Sequence, residues 1–555
     1  MRRRSLIKGM GLTASTLFLS RYVKALESPD HYGASVHPGT FLPNWESLQK
    51  NYHTPDWFSK AKFGIWAHWG PQCQPGSGDW YARRMYEEGS KTYQFHLKKY
   101  GHPSVFGFKD VIHEWKAEKW DPQSLVALYK NAGAQYFVAL ANHHDNLDLY
   151  RSKYQPNWNS TRVGPKKDVI GGWSKAAKEQ GLPFGVSVHA SHAWTFYEVA
   201  QRSDQTGSLA GVPYDGKLQK KDGAGKWWNG LDPQELYEQK HPLSENSGVN
   251  GILENKQWRW QNGAAKPTQR YINNFIDRTI DLIDSYNPDL VYFDDAVLPF
   301  WPLSDECLKI TAHLYNKSIK DYGSLKAVMN AKGLDLNQRK AMVWDIERGK
   351  TNAIEPLPWQ TDTCIGSWHY DQSIYERKAY KPAKTIIQML VDIVSKNGNL
   401  LLNIPVRGDG TIDDQEQQIV QEIGRWMKVN GESIYDTVPW KIFGEGPAQE
   451  TEAQLVREGF NEGKGRAFGP ADIRFTCKPN ILFATVFGWP ETDSIVIKSL
   501  ANGSANLQGP IQRVELLSTK QVLEFERRPE GLRITLPKDK PLDSYASVFK
   551  ILTSA

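Results

Sequence analysis

Cysteine is scarce: four occur in 555 residues, at positions 73, 307, 364 and 477, with no CxxC spacing. That excludes a disulfide-built scaffold and a zinc site held by cysteine, and buried free thiols are the expectation. Long apolar runs are lacking too. No window offers about 18 consecutive apolar residues, so no membrane-spanning helix is expected. Charge of one sign is hardly in excess, at +6, and Arg2, Arg3, Arg4 and Lys8 supply much of it. Without a basic run interleaved with aromatics, charge points to neither a nucleic-acid nor a membrane partner.

Tryptophan, by contrast, is abundant, with 21 residues, many beside Gly, Asp, Asn or His. Flat rings next to polar groups suit the apolar C–H faces of sugars, although most single tryptophans pack cores. The N-terminus has the layout of an address. A basic start at Arg2 to Arg4, a weakly apolar stretch from Gly9 to Ser20 and small residues near Ala25 make residues 1–25 a signal peptide. The order Arg3-Arg4-Ser5-Leu6-Ile7-Lys8 is of the twin-arginine type. It predicts bacterial export of a folded protein to the periplasm or beyond.

Between residues 60 and 430, short apolar runs alternate with longer amphipathic ones, the pattern of repeated β-α units. Strands are predicted at Lys62–Trp69, Tyr136–His144, Pro183–Ser191, Leu290–Asp295, Leu325–Asn330, Ala341–Glu347, Trp359–Ile365 and Asn399–Val406. Eight strands make an α/β chain with a (β/α)8-type barrel over residues 26–445, interrupted by an insertion at about 205–265. Trp227, Trp228, Trp258 and Trp260 predict that this insertion is ordered and shapes the substrate entrance. Residues 446–555, with short runs between turn residues, predict an all-β sandwich domain.

The strand ends carry the chemistry. His68, His143, His144, His189, Asp294, Asn330, Glu347 and Asn403 stand at the exits of seven of the eight predicted strands. Polar and titratable residues there mark a barrel active site, because the βα loops form the catalytic face. Cleavage of a glycoside needs two carboxyl groups, about 5–5.5 Å apart when configuration is retained. Tyr292-Phe293-Asp294-Asp295 offers two neighbours. Alternation on a strand allows one of them inside, and pattern alone does not say which.

Several segments together resemble the α-L-fucosidases of glycoside hydrolase family 29. They are Lys62-Phe63-Gly64-Ile65-Trp66-Ala67-His68-Trp69-Gly70, Trp80-Tyr81, His143-His144-Asp145 and Gly164-Pro165-Lys166-Lys167-Asp168, then Pro288 to Asp294, Leu402-Asn403-Ile404 with Asp409-Gly410-Thr411-Ile412, and Asn430 to Tyr435. The resemblance runs from about residue 45 to 440 in the family's order. It implies a retaining exo-hydrolase that releases terminal α-L-fucose by double displacement, with no cofactor and a fucosylated oligosaccharide or polysaccharide as partner. On this resemblance Asp294 is the nucleophile, and Asp295 stands where glycine is common. His68, His143 and His144 fall on fucose-binding positions, and Trp80 and Tyr81 on the pocket lining. Glu347 is the first choice for acid and base, with Asp345 and Glu355 as alternatives. Arg348 is either a sugar ligand or the salt-bridge partner of Glu347.

There are departures. Asn146-Leu147 follows Asp145 where Gly-Phe is common, and Ser187-Val188-His189 replaces a tyrosine-rich run. An added donor such as His189 or His192 would let the pocket accept L-galactose, which is L-fucose with a C6 hydroxyl. Two further readings stand beside this one. A metal hydrolase would use His68, His143, His144 and Asp294 as ligands, but the first strand lacks a His-x-His pair. An inactive sugar-binding protein would bind without turnover.

Overall fold

A computed structural model describes residues 33–250, 256–450, 460–542 and 544–554. Within it eight parallel strands close into a barrel: β1 Phe63–Ala67, β2 Tyr136–Asn142, β3 Phe184–Val188, β4 Leu290–Ala296, β5 Val328–Lys332, β6 Val343–Glu347, β7 Trp359–Cys364 and β8 Gly398–Asn403. Closure is direct, with Phe63 to Trp66 of β1 in register with Leu400 to Asn403 of β8. All eight predicted strands are present. The fifth runs two residues further than expected, to Lys332, which brings an unanticipated cation to the catalytic end. The signal-peptide segment 1–25 lies outside the described residues.

Helices return the chain between strands, and their starts are written in the sequence. Asp121, Asp168, Thr268 and Asp413 each accept a backbone N–H of the first turn. Such caps satisfy donors that the helix itself leaves unpaired. The barrel interior is filled by Trp66, Tyr136, Val138, Leu290, Tyr292, Val328, Val343 and Leu401. Gly64 is required here, because a Cβ would sit 2.3 Å from the Tyr136 ring. Above this apolar layer lies a polar one. Tyr136 donates to Gln360 Oε1 at 2.8 Å, Gln360 donates to Asp345 Oδ2 at 2.8 Å, and Tyr292 donates to Asp362 Oδ2 at 2.8 Å.

Beyond the barrel, a six-stranded antiparallel sheet faces a three-stranded one across a core of Ile473, Phe475, Val486, Ile497, Val514, Leu532, Phe549 and neighbours. The larger sheet begins with Val438–Glu445, which pairs with Ile473–Lys478. The β domain therefore starts inside the stretch assigned on sequence to the barrel. The insertion after β3 is folded over described residues by short helical turns at Asp215–Lys217, Lys220–Gly223 and Gln234–Tyr237. Buried Asp215 ties it down, accepting from Tyr86 at 2.6 Å, Tyr237 at 2.7 Å and Lys109 at 2.9 Å. All four cysteines are free.

Candidate active site

Strand β4 decides between its two aspartates by losing register. Tyr292 opposes Asn330, yet Ala296 opposes Lys332, so four residues of β4 advance against two of β5. A bulge of this kind re-aims side chains. It sends Asp294 toward the barrel axis and Asp295 behind it. Asp295 is buried, accepts from Ser191 Oγ at 2.7 and 2.9 Å, and lies 3.3 Å from His192 Nε2. The second carboxylate is thus paired elsewhere and does not crowd the first.

Asp294 is held by a cation and two imidazoles. Its Oδ1 touches the Lys332 ammonium. Its Oδ2 lies 3.0 Å from His189 Nδ1 and 3.6 Å from His144 Nε2. Burial alone would raise its pKa, but Lys332 and His189 outweigh burial and hold the carboxyl well below the ordinary range. The same ammonium touches Glu347 Oε2 at the end of β6. Burial opposes the charge on Lys332, while Asp294 and Glu347 together push its pKa well above normal. The centre is a carboxyl–ammonium–carboxyl triplet, in which the buried Lys332 charge is not left unpaired.

Beside it sits a cage of imidazoles. The His68 ring is 5.1 Å from His143, 5.0 Å from His189 and 4.7 Å from His369, and His143 and His144 are 4.4 Å apart. Two asparagines fix the strand exits that carry them. Asn403 Oδ1 accepts from His68 N at 2.9 Å, and Asn142 Oδ1 accepts from His189 N at 3.1 Å. Both ring nitrogens of His68 are buried without a hydrogen-bond partner, and so are Nε2 of His189 and Nε2 of His369, whose Nδ1 lies 3.5 Å from Asp79 Oδ1. Unfilled groups of this kind each cost about 1–3 kcal/mol. Their concentration around one cavity marks the place where ligand hydroxyls complete them. Burial, and then the neighbouring histidines, push His68 and His143 well below the usual imidazole range, so both are neutral.

Two groupings, His68–His143–His369 and His143–His144–His189, bring one nitrogen per ring within 4.8 Å. Their donor chemistry does not fit a metal. The Gln72 amide nitrogen donates to Asp145 Oδ2 at 3.1 Å and lies 2.7 Å from His143 Nδ1, while its Oε1 accepts from Ala82 N at 3.3 Å. His143 Nδ1 is therefore an acceptor, and Nε2 carries the hydrogen. Coordination needs a lone pair there. Both groupings depend on His143, which presents a donor suited to a hydroxyl oxygen.

One wall is apolar. Trp80 lies 4.8 Å from Trp258, Trp258 lies 5.0 Å from His144, and Phe196 lies 5.6 Å from His144. Trp258 comes from the insertion, and its neighbour Trp260 stacks on His192 at 4.6 Å. A small pocket with a few convergent polar groups and aromatic faces is the usual form of a sugar site.

Of the residues singled out on sequence, Asp294, Glu347, His68, His143, His144, His189 and Trp80 come together. Tyr81 does not line the cavity: it is fully buried and its hydroxyl donates to His96 Nδ1 at 2.7 Å. Arg348 turns to Glu462, 3.0 Å from its Nε. Glu355 is drawn off by Arg339 at 3.0 Å, and Asp345 is accepted into the polar layer by Gln360. Lys332 and His369 were not anticipated, whereas Trp258 belongs to the insertion expected to shape the entrance. Inward alternation from Asn330 would have flagged Lys332. His369 sits in the loop after β7, where no local signal marks it; Trp258 is held by its neighbour Gln257, whose carbonyl accepts from the Thr195 hydroxyl at 2.8 Å.

The comparisons agree with this geometry. The family model described as alpha-L-fucosidase matches residues 31–432, and that of the alpha-L-fucosidase C-terminal domain matches residues 470–552. Tissue alpha-L-fucosidase of Rattus norvegicus is 26% identical over 519 residues, covering 91% of this chain and 90% of the relative. The Homo sapiens tissue enzyme is 25% identical over 519 residues, covering 91% and 89%. Among solved structures, Thermotoga maritima alpha-fucosidase in complex with fucose matches at TM-score 0.64 and 26% identity, over 92% of this chain and 100% of that one. Its complex with a mechanism-based inhibitor matches at TM-score 0.65.

Proposed function

The chain belongs to the α-L-fucosidase family, and from that membership we propose a residue-level account of its reaction. It is a glycoside hydrolase that releases terminal α-L-fucose with retention, with Asp294 as nucleophile and Glu347 as acid and base. The carrying observation is the Lys332 ammonium, which touches one oxygen of each carboxylate. Two oxygens within hydrogen-bond reach of one nitrogen lie no more than roughly 6 Å apart. That supports the retaining spacing of about 5–5.5 Å over the wider inverting one.

Asp294, ionised through Lys332 and His189, attacks the anomeric carbon while the Glu347 carboxyl protonates the departing oxygen. Water, activated by the Glu347 carboxylate, then breaks the Asp294–sugar ester. His68, His143, His144, His189 and His369 take the sugar hydroxyls. The Trp80–Trp258 wall excludes water and contacts C–H groups. His189 Nε2 is buried without a partner, which supports tolerance of a further hydroxyl, as in an α-L-galactoside. We also propose export by the twin-arginine route, resting on residues 1–25 alone.

The test is hydrolysis of 4-nitrophenyl α-L-fucoside, with the α-L-galactoside in parallel, by the wild type and Asp294→Ala. Fucoside turnover is expected, lost by on the order of 10⁴-fold in the variant. Full activity in Asp294→Ala would sink the nucleophile assignment. Binding of fucose without turnover in the wild type would replace the enzyme by a lectin-like protein.

A further inference from the structure

A segment of the β domain that the account above leaves unused is clamped onto the exit of β6. Phe460 N donates to the carbonyl of Glu347 at 3.1 Å, and Glu462 N to that of Arg348 at 2.8 Å. Between them Asn461 Oδ1 accepts from Lys350 N at 2.8 Å, and its Nδ2 donates to Lys350 O at 2.9 Å. The Glu462 carboxylate accepts from Arg348 Nε at 3.0 Å and Thr363 Oγ1 at 2.9 Å, and it touches the Lys381 ammonium. Burial would raise the pKa of Glu462, but Lys381 and Arg348 outweigh it and keep the group ionised. Three consecutive residues are thus fixed along the turn that follows the candidate acid.

Within this clamp Phe460 is the anomaly. Its backbone is left-handed at φ 53°, and 55% of the residue is exposed. A bulky aromatic at positive φ is strained, and leaving its ring in water forgoes burial as well. Asparagine or glycine would make the same turn without either penalty. Strain of this sort gathers where a ligand is clamped. The neighbour supplies the ligand's identity. The residue that protonates the departing oxygen stands where the leaving group begins, so the aglycone extends from the Glu347 side of the pocket.

We propose that Phe460 is a specificity-determining residue, an aromatic platform for the sugar attached to fucose, carried to the barrel mouth by the β domain. This rests on Glu347 as the acid. An aromatic face suits a pyranose leaving group because it buries C–H surface with little loss of freedom.

The experiment compares α-L-fucosyl fluoride, whose leaving group has no ring and needs little acid help, with α-(1→2)-, α-(1→3)- and α-(1→4)-linked fucosyl disaccharides. In Phe460→Ala, kcat/KM for at least one disaccharide relative to the fluoride is expected to fall roughly tenfold, the scale of one aromatic contact. Phe460→Tyr is expected to restore the ratio. Transfer of fucose from the fluoride to the matching free sugar should fall in step. Equal losses on both substrates, an unchanged ratio, or a wild type that splits none of the disaccharides would overturn the proposal. Glu347→Gln is run beside it: a first-turnover burst of fluoride release that then stalls, with steady turnover restored by azide, while disaccharide cleavage is lost, upholds the acid and base assignment whatever Phe460 does.

Discussion

Lys332 and Asp294 are in direct contact through Nζ and Oδ1, and the same nitrogen reaches Oε2 of Glu347. The ammonium therefore stabilises two anions that would otherwise repel. At an effective dielectric near 20, one such contact is worth about 4 kcal/mol. It also holds the Asp294 carboxyl ionised, as a nucleophile must be.

Replacing Lys332 by Met should move the acidic limb of kcat/KM upward in pH. With Lys332 in place the nucleophile's pKa lies well below the ordinary value, so it stays ionised far into acid. Without the cation, burial dominates and Asp294 protonates at higher pH. A loss of about 10²-fold at neutral pH is expected, from the scale of one transition-state electrostatic contact. A pH–rate profile for fucosyl fluoride checks this; an acid limb that stays put would show that Lys332 does not govern Asp294.

His369→Leu is expected to cost both affinity and stability. The imidazole is buried, its Nε2 has no hydrogen-bond partner, and its Nδ1 lies 3.5 Å from Asp79 Oδ1. Leucine removes a partner for a sugar hydroxyl and takes the imidazole from the Asp79 carboxylate, a loss of about 1–3 kcal/mol. Thermal unfolding should occur at lower temperature, while the inhibition constant for fucose rises roughly 10- to 100-fold. A variant that melts lower and binds fucose normally would make His369 a packing residue.

Much of this site was legible because barrel chemistry sits at strand ends, where an apolar run stops on a polar residue. His68, His143, His144, His189 and Glu347 were found in that way. Lys332 was missed because the fifth strand was ended at Asn330, one alternation short. The choice between Asp294 and Asp295 depends on a register shift that only the partner strand reveals. His369 lies in a loop, and Glu462 reaches Arg348 from 114 residues away. Such contacts are set by closure of the fold and by docking of the β domain, which no local pattern encodes.

Asp362→Asn should alter the pH dependence of stability. Burial pushes Asp362 up to about 7, with Lys332 opposing, while burial and Asp362 push Asp345 well above its usual value. A carboxyl raised in the fold stabilises it fully below the ordinary pKa near 4, and that contribution is lost as pH climbs to about 7. Asparagine stays neutral and still accepts from the Tyr292 hydroxyl. The melting advantage of the variant over wild type should therefore be larger at pH 8 than at pH 5, by about 2–4 °C. An advantage that is the same at both would show that Asp362 is not protonated in the fold.

The two adjacent aspartates should separate cleanly when each is changed to alanine. Asp294→Ala removes the attacking group and one of the two carboxyls on Lys332, so turnover should vanish, while the remaining Lys332–Glu347 contact keeps the variant folded with a lowered melting temperature. Asp295→Ala strips buried Ser191 and His192 of their acceptor, and His192 in turn backs Trp260. That variant should lose about 1–3 kcal/mol of stability, the scale of a buried group left unpaired. Its kcat on the aryl fucoside should remain within about tenfold of wild type, because no contact ties Asp295 to the reacting carbon. Loss of kcat with stability intact in Asp295→Ala, together with a folded and active Asp294→Ala, would exchange their roles. The bulge in β4 would then aim the other carboxylate inward.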